Sequence, residues 1–256
     1  MGAMPTNDPS DGALRRAFVG DVHGCFNELL ELLDSIGFDP VAASVDDAVD
    51  EVWFVGDLVN GGPRSDAVLA LADRIIQDKR GGFVVGNHDD SLLCALEGKG
   101  ALSGPVAESL RQIDTGGAIT RDRARAMLEA APLDVRFDDI GVLLVHAAPV
   151  DPGDSLERQR ETAIYGPTAD GRDDQGKLLR INWPRDYDGS AFVVFGHSPH
   201  RAPARFARAI CLDTGCVYGG SLTAYLPHED RCVSVRAKQS HREGRLREGA
   251  STGPYL

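Results

Sequence analysis

The N-terminal part of the chain repeats one pattern three times: a short apolar run, a glycine turn carrying a polar residue, then apolar residues at helical spacing. Ala17 to Gly20 is followed by a cap at Asn27 and by Leu29, Leu30, Leu32, Leu33 and Ile36. Val52 to Val55 is followed by Ala67 to Ile76, and Phe83 to Val85 by Ser91 to Leu96. Strand, turn and helix in this order predict parallel crossover units and an α/β fold. In such folds the carboxyl ends of the strands gather on one rim, and ligands bind there.

Beyond these units, Gly98 to Ala131 reads as a helical excursion, and Leu133 to Phe137 with Val142 to Val145 as a strand pair around the turn at Asp138 to Gly141. Asp151 to Asp188 is polar and rich in Gly, Pro and Asp, which predicts a long loop or lid. Ala191 to Phe195, Ala209 to Leu212, Leu222 to Leu226 and Cys232 to Val235 read as further strands. The 256 residues fit a single domain over 16–236, with a disordered leader over 1–15 and a disordered basic tail over 237–256.

The formal net charge of −12 disfavours duplex nucleic acid as a partner but not a phosphorylated small molecule or phosphoprotein, because bound metal ions would supply local positive charge. The five cysteines are odd in number and form no Cys-x-x-Cys pair, which argues against a disulfide framework and for a reducing, cytoplasmic setting. No run is long and apolar enough to span a membrane, and Met1 to Gly12 has no apolar signal-peptide core.

Four of the seven histidines, His23, His88, His146 and His197, directly follow an apolar run or its turn. The predicted rim thus holds Asp21 and His23, Asp57, Asn87 and His88, His146, and His197. The i, i+2 spacing of Asp21 and His23 puts both side chains on one face of an extended segment. Carboxylate oxygen and imidazole nitrogen together suit a divalent transition metal. Asp57 offers two oxygens and could bridge two ions. Each place taken singly also reads as a turn aspartate or a satisfied core histidine; five on one rim argue for a shared site.

Five ordered blocks carry a resemblance: Gly20-Asp21-Val22-His23-Gly24, Gly56-Asp57-Leu58-Val59-Asn60-Gly61-Gly62-Pro63, Gly86-Asn87-His88-Asp89, Val145-His146-Ala147 and Gly196-His197. They resemble the signature blocks of calcineurin-like metallophosphoesterases. Gly20 to Leu33 and Leu212 to Ala224 are similar to bacterial symmetrical diadenosine tetraphosphatases. Tyr165-Gly166 through His197 resembles the phosphatase domain of bacterial RNA-repair polynucleotide kinase-phosphatases. The resemblance implies a four-layer α/β/β/α sandwich with two metal ions, one taking Asp21, His23 and Asp57, the other Asp57, Asn87, His146 and His197. It also implies a dimetal phosphohydrolase that attacks phosphate anhydrides or esters with a metal-held hydroxide, Asp57 and His88 being catalytic and His88 the general acid. The nitrogen and oxygen donor set favours Mn, with Fe, Zn, Co or Ni as alternatives, over Ca or Mg.

The second block departs from the family pattern Gly-Asp-x-Val-Asp-Arg-Gly. Asn60 stands where the resemblance places an aspartate that orients the acid histidine, and Gly61 where it places a phosphate-clamping arginine. Asn60 keeps hydrogen-bonding capacity without the charge and is expected to contact substrate. Arg64 and Arg160 are the candidates to replace the clamp. The loss of charge at 60 predicts a preference for good leaving groups, which makes nucleoside polyphosphates such as diadenosine tetraphosphate the lead substrates. A phosphoprotein phosphatase and a non-catalytic metal-binding interaction module are the alternatives.

Overall fold

In the computed structural model, residues 14–41, 48–100, 102, 104–172, 178–244 and 246–248 are described. The three N-terminal units form as expected. Strands β1 (Arg16–Val19), β2 (Glu51–Phe54) and β3 (Gly81–Phe83) pair in parallel, and helices α1 (Phe26–Ser35), α2 (Ser65–Gln77) and α3 (Asn87–Leu96) follow them. Strands β11 (Ser221–Leu226) and β12 (Arg231–Arg236) extend the sheet past β1 in antiparallel sense, giving the order β12-β11-β1-β2-β3. A second sheet is built from β4 (Asp134–Phe137), β5 (Val142–Val145), β8 (Phe192–Phe195), β9 (Ala204–Arg205) and β10 (Ala209–Cys211), in the order β4-β5-β8-β10-β9 with β5, β8 and β10 parallel.

The two sheets pack face to face, and the twofold period of a strand sorts the side chains. Phe18, Tyr225, Val142, Leu144, Val194 and Ile210 point into the inter-sheet core, where Phe18 meets Phe137 edge to face at 5.2 Å. Ala17 and Val19 turn outward, to a core built with Leu29, Leu32 and Leu33 of α1 and the apolar faces of α2 and α3. The predicted helical excursion is α4 (Gly104–Gly116) and α5 (Arg121–Glu129), which add Val106, Leu110, Ile113 and Leu128 to that core. On the far side, Leu143, Val145, Val193 and Phe195 are covered by Trp183, Tyr187 and Phe206. The fold is therefore the expected α/β/β/α sandwich with a thin fourth layer.

Two expectations need correction. Residues 151–188 contain regular structure: α6 (Leu156–Tyr165), the hairpin strands β6 (Thr168–Arg172) and β7 (Leu178–Arg180), and α7 (Trp183–Asp186). The segment docks through a backbone bond, Ala147 N–H to the Ala163 carbonyl at 2.8 Å, and an indole bond, Trp183 Nε1–H to the Ala147 carbonyl at 2.9 Å. Its polar composition hid it because it buries little apolar surface. The described part of the tail is also ordered against the domain. Ala237 N–H bonds the Gly220 carbonyl, Lys238 N–H bonds Glu28, and Arg247 N–H bonds the Pro199 carbonyl. The rest of the tail, and the expected leader apart from Leu14 and Arg15, lie outside the described residues. No helix among the described residues is long and apolar enough to cross a membrane.

The inter-sheet core sets one prediction. Phe18→Ala removes a fully buried ring from it and is expected to cost about 3–5 kcal/mol in a denaturant titration. A loss below about 1 kcal/mol would show that the sheets do not depend on this contact.

Candidate metal centre

The predicted rim residues converge where the two sheets meet. Asp21 and His23 follow β1, Asp57 follows β2, and Asn87 and His88 open α3 after β3. His146 follows β5 and His197 follows β8 in the second sheet. The seam is closed by hydrogen bonds across it: His197 N–H donates to Asp21 Oδ2 at 3.0 Å, and His146 Nδ1 bonds the Val55 carbonyl at 2.9 Å.

The backbone is bent to make this convergence. His23, Asp57, Asn60 and His197 all have positive φ, between 49° and 70°, a conformation costly for residues with a Cβ. Two glycines give the carboxylates room. A Cβ at Gly86 would lie 2.2 Å from Asp57 Oδ1, and one at Gly196 would lie 2.0 Å from Asp21 Oδ1.

The side chains are held with their donor atoms toward a common space. The Nδ1 of His23 faces the carbonyls of Val59 and Asn60, both at 3.1 Å, and the Nδ1 of His146 faces the Val55 carbonyl at 2.9 Å. Each Nδ1 is thereby the protonated nitrogen, and each Nε2 keeps its lone pair. These lone pairs address opposite oxygens of Asp57: His23 Nε2 stands 3.6 Å from Oδ2, and His146 Nε2 stands 3.6 Å from Oδ1. Asn87 Oδ1 lies 2.8 Å from His197 Nδ1 and 3.2 Å from His146 Nε2. Two groups of potential ligands result, His23 with Asp57 and His88, and Asp21 with Asp57 and His146, each with its ligand atoms within 4.8 Å of one another.

The electrostatics call for cations. Asp21 and Asp57 are both 2% exposed, and no lysine or arginine pairs with either among the described residues. Asp21 Oδ1 is buried with no hydrogen-bond partner. Burial, with Asp213 and Asp57 nearby, pushes the Asp21 carboxyl well up. Burial also opposes the charge on Asp57, but His146, His88 and His23 and the His88 N–H hold its carboxyl well below the usual range. Burial lowers His23 to about 4 and His197 to about 3, so both imidazoles are neutral, the form that ligates metal. Buried carboxyl groups without a lysine or arginine partner, gathered with the neutral imidazoles of His23 and His197, fit divalent transition-metal ions.

His88 differs from the others. It is partly exposed, its ring packs edge to face on His23 at 4.8 Å, and burial lowers its pKa despite Asp57. Asn60 is fully buried, and its side chain bonds none of the proposed metal ligands. Its Nδ2 donates to the His88 main-chain carbonyl at 2.9 Å, and its Oδ1 accepts from Ser109 Oγ at 2.8 Å. The expectation that Asn60 contacts substrate is therefore corrected: its amide props the backbone under His88. Neither predicted arginine is a free clamp. Arg64 is bidentate to buried Asp66 at 2.9 and 3.1 Å, and Arg160 is paired with Asp90.

Several contributors carried no recognised signal in the sequence. Ser109 and Gln112, on one face of α4, hold the loop after β2: Gln112 accepts from Ser65 N–H at 2.7 Å and donates to the Gly62 carbonyl at 3.1 Å. Arg180, at the end of β7, donates to the Gly166 carbonyl at 3.4 Å and its charge helps to lower the pKa of His197. Arg242 is a second positive group acting on the site. Helical spacing could have flagged Ser109 and Gln112 together; an isolated arginine in a polar stretch looks the same as a solvated one. Cys211 is fully buried, and that burial raises its thiol pKa. Cys216 is buried against Cys25.

Residues 14–229 match the calcineurin-like phosphoesterase family. A bis(5'-nucleosyl)-tetraphosphatase PrpE [asymmetrical] of Halalkalibacterium halodurans is 32% identical over 229 residues, covering 86% of this chain and 93% of the relative. The protein of the same name from Oceanobacillus iheyensis is 31% identical, covering 86% and 92%. These relatives are named for asymmetrical cleavage, whereas the sequence resemblance pointed to symmetrical tetraphosphatases. A crystal structure of a candidate diadenosine tetraphosphatase superposes with a TM-score of 0.66 at 28% identity, covering 89% of this chain and 95% of that one. A family match over most of the chain, drawn on a fold that brings the matching blocks to one seam, makes the conclusion direct: the chain belongs to the calcineurin-like phosphoesterase family and is a metal-dependent phosphohydrolase.

Proposed function

We propose that the protein hydrolyses dinucleoside polyphosphates, with diadenosine tetraphosphate as lead substrate and Mn as the working metal. The observation that carries the site assignment is Asp57, whose two oxygens address His23 and His146 separately while Asp21 Oδ1 stands without a partner. In this reading Asp21, His23 and Asp57 hold one ion, and Asp57, Asn87, His146 and His197 hold the other. When bound, such ions supply a water that ionises near neutral pH and positive charge against the phosphate.

The chain's own groups do the rest. The carbonyls of Val59, Asn60 and Val55 fix the tautomers of His23 and His146. His88, the partly exposed imidazole beside His23, hands a proton to the leaving oxygen. Arg180, near His197 and free of any carboxylate among the described residues, binds the substrate's phosphates from the second sheet's side.

Asn60 bears on substrate class. It brings no negative charge to His88, and burial already disfavours the imidazolium. With little imidazolium at neutral pH, leaving groups that need no proton are favoured, as in phosphoanhydrides. The relatives' names support the same class.

Three outcomes are expected. With Mn resupplied after stripping, the protein turns over diadenosine tetraphosphate and p-nitrophenyl phosphate, and Asp57→Asn abolishes both. The product pair reports the cut: a nucleoside mono- and triphosphate for an off-centre cut, two diphosphates for a central one. Turnover of the aryl ester alone would move the reading to a phosphoprotein phosphatase, and no turnover of either to an interaction module. Across a leaving-group series, anhydrides and aryl esters should exceed alkyl phosphates in kcat/KM; equal rates would remove the role given to Asn60. Finally, Gly196→Ala displaces Asp21 and should weaken metal retention by about 10- to 100-fold, read by elemental analysis after dialysis. Unchanged metal content would remove Asp21 from the ligand set.

A further inference from the structure

We infer that Arg242, on the C-terminal tail, is a phosphate-binding residue of this site. The family match ends at residue 229, and the arginine is brought back by the strap that follows β12. That strap is anchored on both sides of it. Before it, Lys238 N–H bonds Glu28 Oε1 at 3.0 Å and Ser240 bridges Tyr218; His241 and Arg242 N–H bond the Val217 carbonyl at 2.9 and 3.1 Å; after it, Arg247 N–H bonds the Pro199 carbonyl at 2.9 Å. The Arg242 stem then crosses Gly61. A Cβ on Gly61 would lie 2.8 Å from Arg242 Cδ and 3.6 Å from its Cγ, so the missing side chain at 61 is the space the arginine occupies.

The guanidinium is partly covered and stands over the Tyr218 ring, with Cζ 5.9 Å from its centroid. Its Nη1 is buried without a hydrogen-bond partner, and no carboxylate pairs with it among the described residues. That separates it from Arg64 and Arg160, whose forks are already engaged. Its position is toward the reacting side: its charge acts on both His23 and His88, which lie together in one potential ligand group with Asp57. A buried donor with no partner is costly unless a ligand supplies one. Beside a centre that receives phosphate, the fitting ligand is a non-bridging phosphate oxygen, which a guanidinium binds in charge-assisted fashion. Arg180, whose charge acts on His197, is a second cation available to the same phosphate or its neighbour.

The inference rests on the phosphohydrolase reading of the site, and the test separates the two. Mn-loaded wild type, Arg242→Ala and Arg242→Lys are compared for p-nitrophenyl phosphate turnover and for competitive inhibition by inorganic phosphate. Arg242→Ala should raise KM and the phosphate inhibition constant by about 10- to 100-fold, with metal content and Tm unchanged. The lysine variant should recover part of the loss, and added guanidinium ion should rescue the alanine variant but not stimulate wild type. Unchanged KM and phosphate inhibition in Arg242→Ala, with wild type active, would overturn the inference alone. A loss that follows a fall in Tm or metal content and resists guanidinium would also overturn it, by showing the strap's role to be structural. A wild type inert toward every ester would overturn the reading of the site and this inference with it.

Discussion

The position of Asp57 is the constraint around which the molecule is arranged. Its carboxylate is buried where two sheets meet, and its oxygens face histidines from different sheets. Burying such a charge costs several kcal/mol unless partners offset it. Among the described residues no lysine or arginine pairs with Asp57, which receives the His88 N–H and faces His23 and His146, and Asp21 beside it is held by backbone N–H groups such as that of His197. Two carboxylates at this depth with so little cationic compensation leave the seam short of positive charge. Divalent ions held there would therefore stabilise the folded chain as well as equip it for chemistry, since they would bind the native seam and not the dispersed ligands.

The scaffold accepts local cost to keep this geometry. Four non-glycine residues of the site adopt positive φ, each at an expense of roughly 1–3 kcal/mol. They persist because what lies beneath them is over-determined. Parallel strands fix where each turn begins, the inter-sheet core fixes the distance between sheets, and Ser109 and Gln112 of α4 fix the loop after β2. Gly86 and Gly196 let the carboxylates rest against backbone, so the glycines in these blocks serve packing as much as turning.

How far the sequence reveals this depends on what kind of interaction holds each part. The strands, the helices and the converging Asp, His and Asn residues were legible, because apolar periodicity marks the elements and the polar residues sit directly at their ends. The segment 151–188 and the tail were not, because they are held largely by main-chain bonds such as Ala147 to Ala163 and Ala237 to Gly220, which leave no mark on composition. Asn60 was placed at the right spot with the wrong target: spacing locates a side chain but does not say that its amide turns toward Ser109 and a carbonyl. The arginines fared worst. Arg64 and Arg160 are near in sequence to the blocks but committed to carboxylates, whereas Arg242 reaches the site from a segment with no block near it.

That last displacement has a structural logic of its own. Gly61 has φ of 130°, and any Cβ there would press on Val217 Cγ2 at 2.7 Å as well as on Arg242. A side chain at 61 and the present path of the tail therefore exclude each other. An arginine on the loop after β2 would be oriented by the strand and helix that flank it. One on the tail is oriented by a few backbone bonds and by packing of the strap on Tyr218, so more of its ordering cost falls when phosphate arrives. The exchange ties substrate binding to a segment outside the sandwich, and any partner or truncation that lifts the strap removes a positive charge from beside His23 and His88 while leaving the remaining proposed ligands in place.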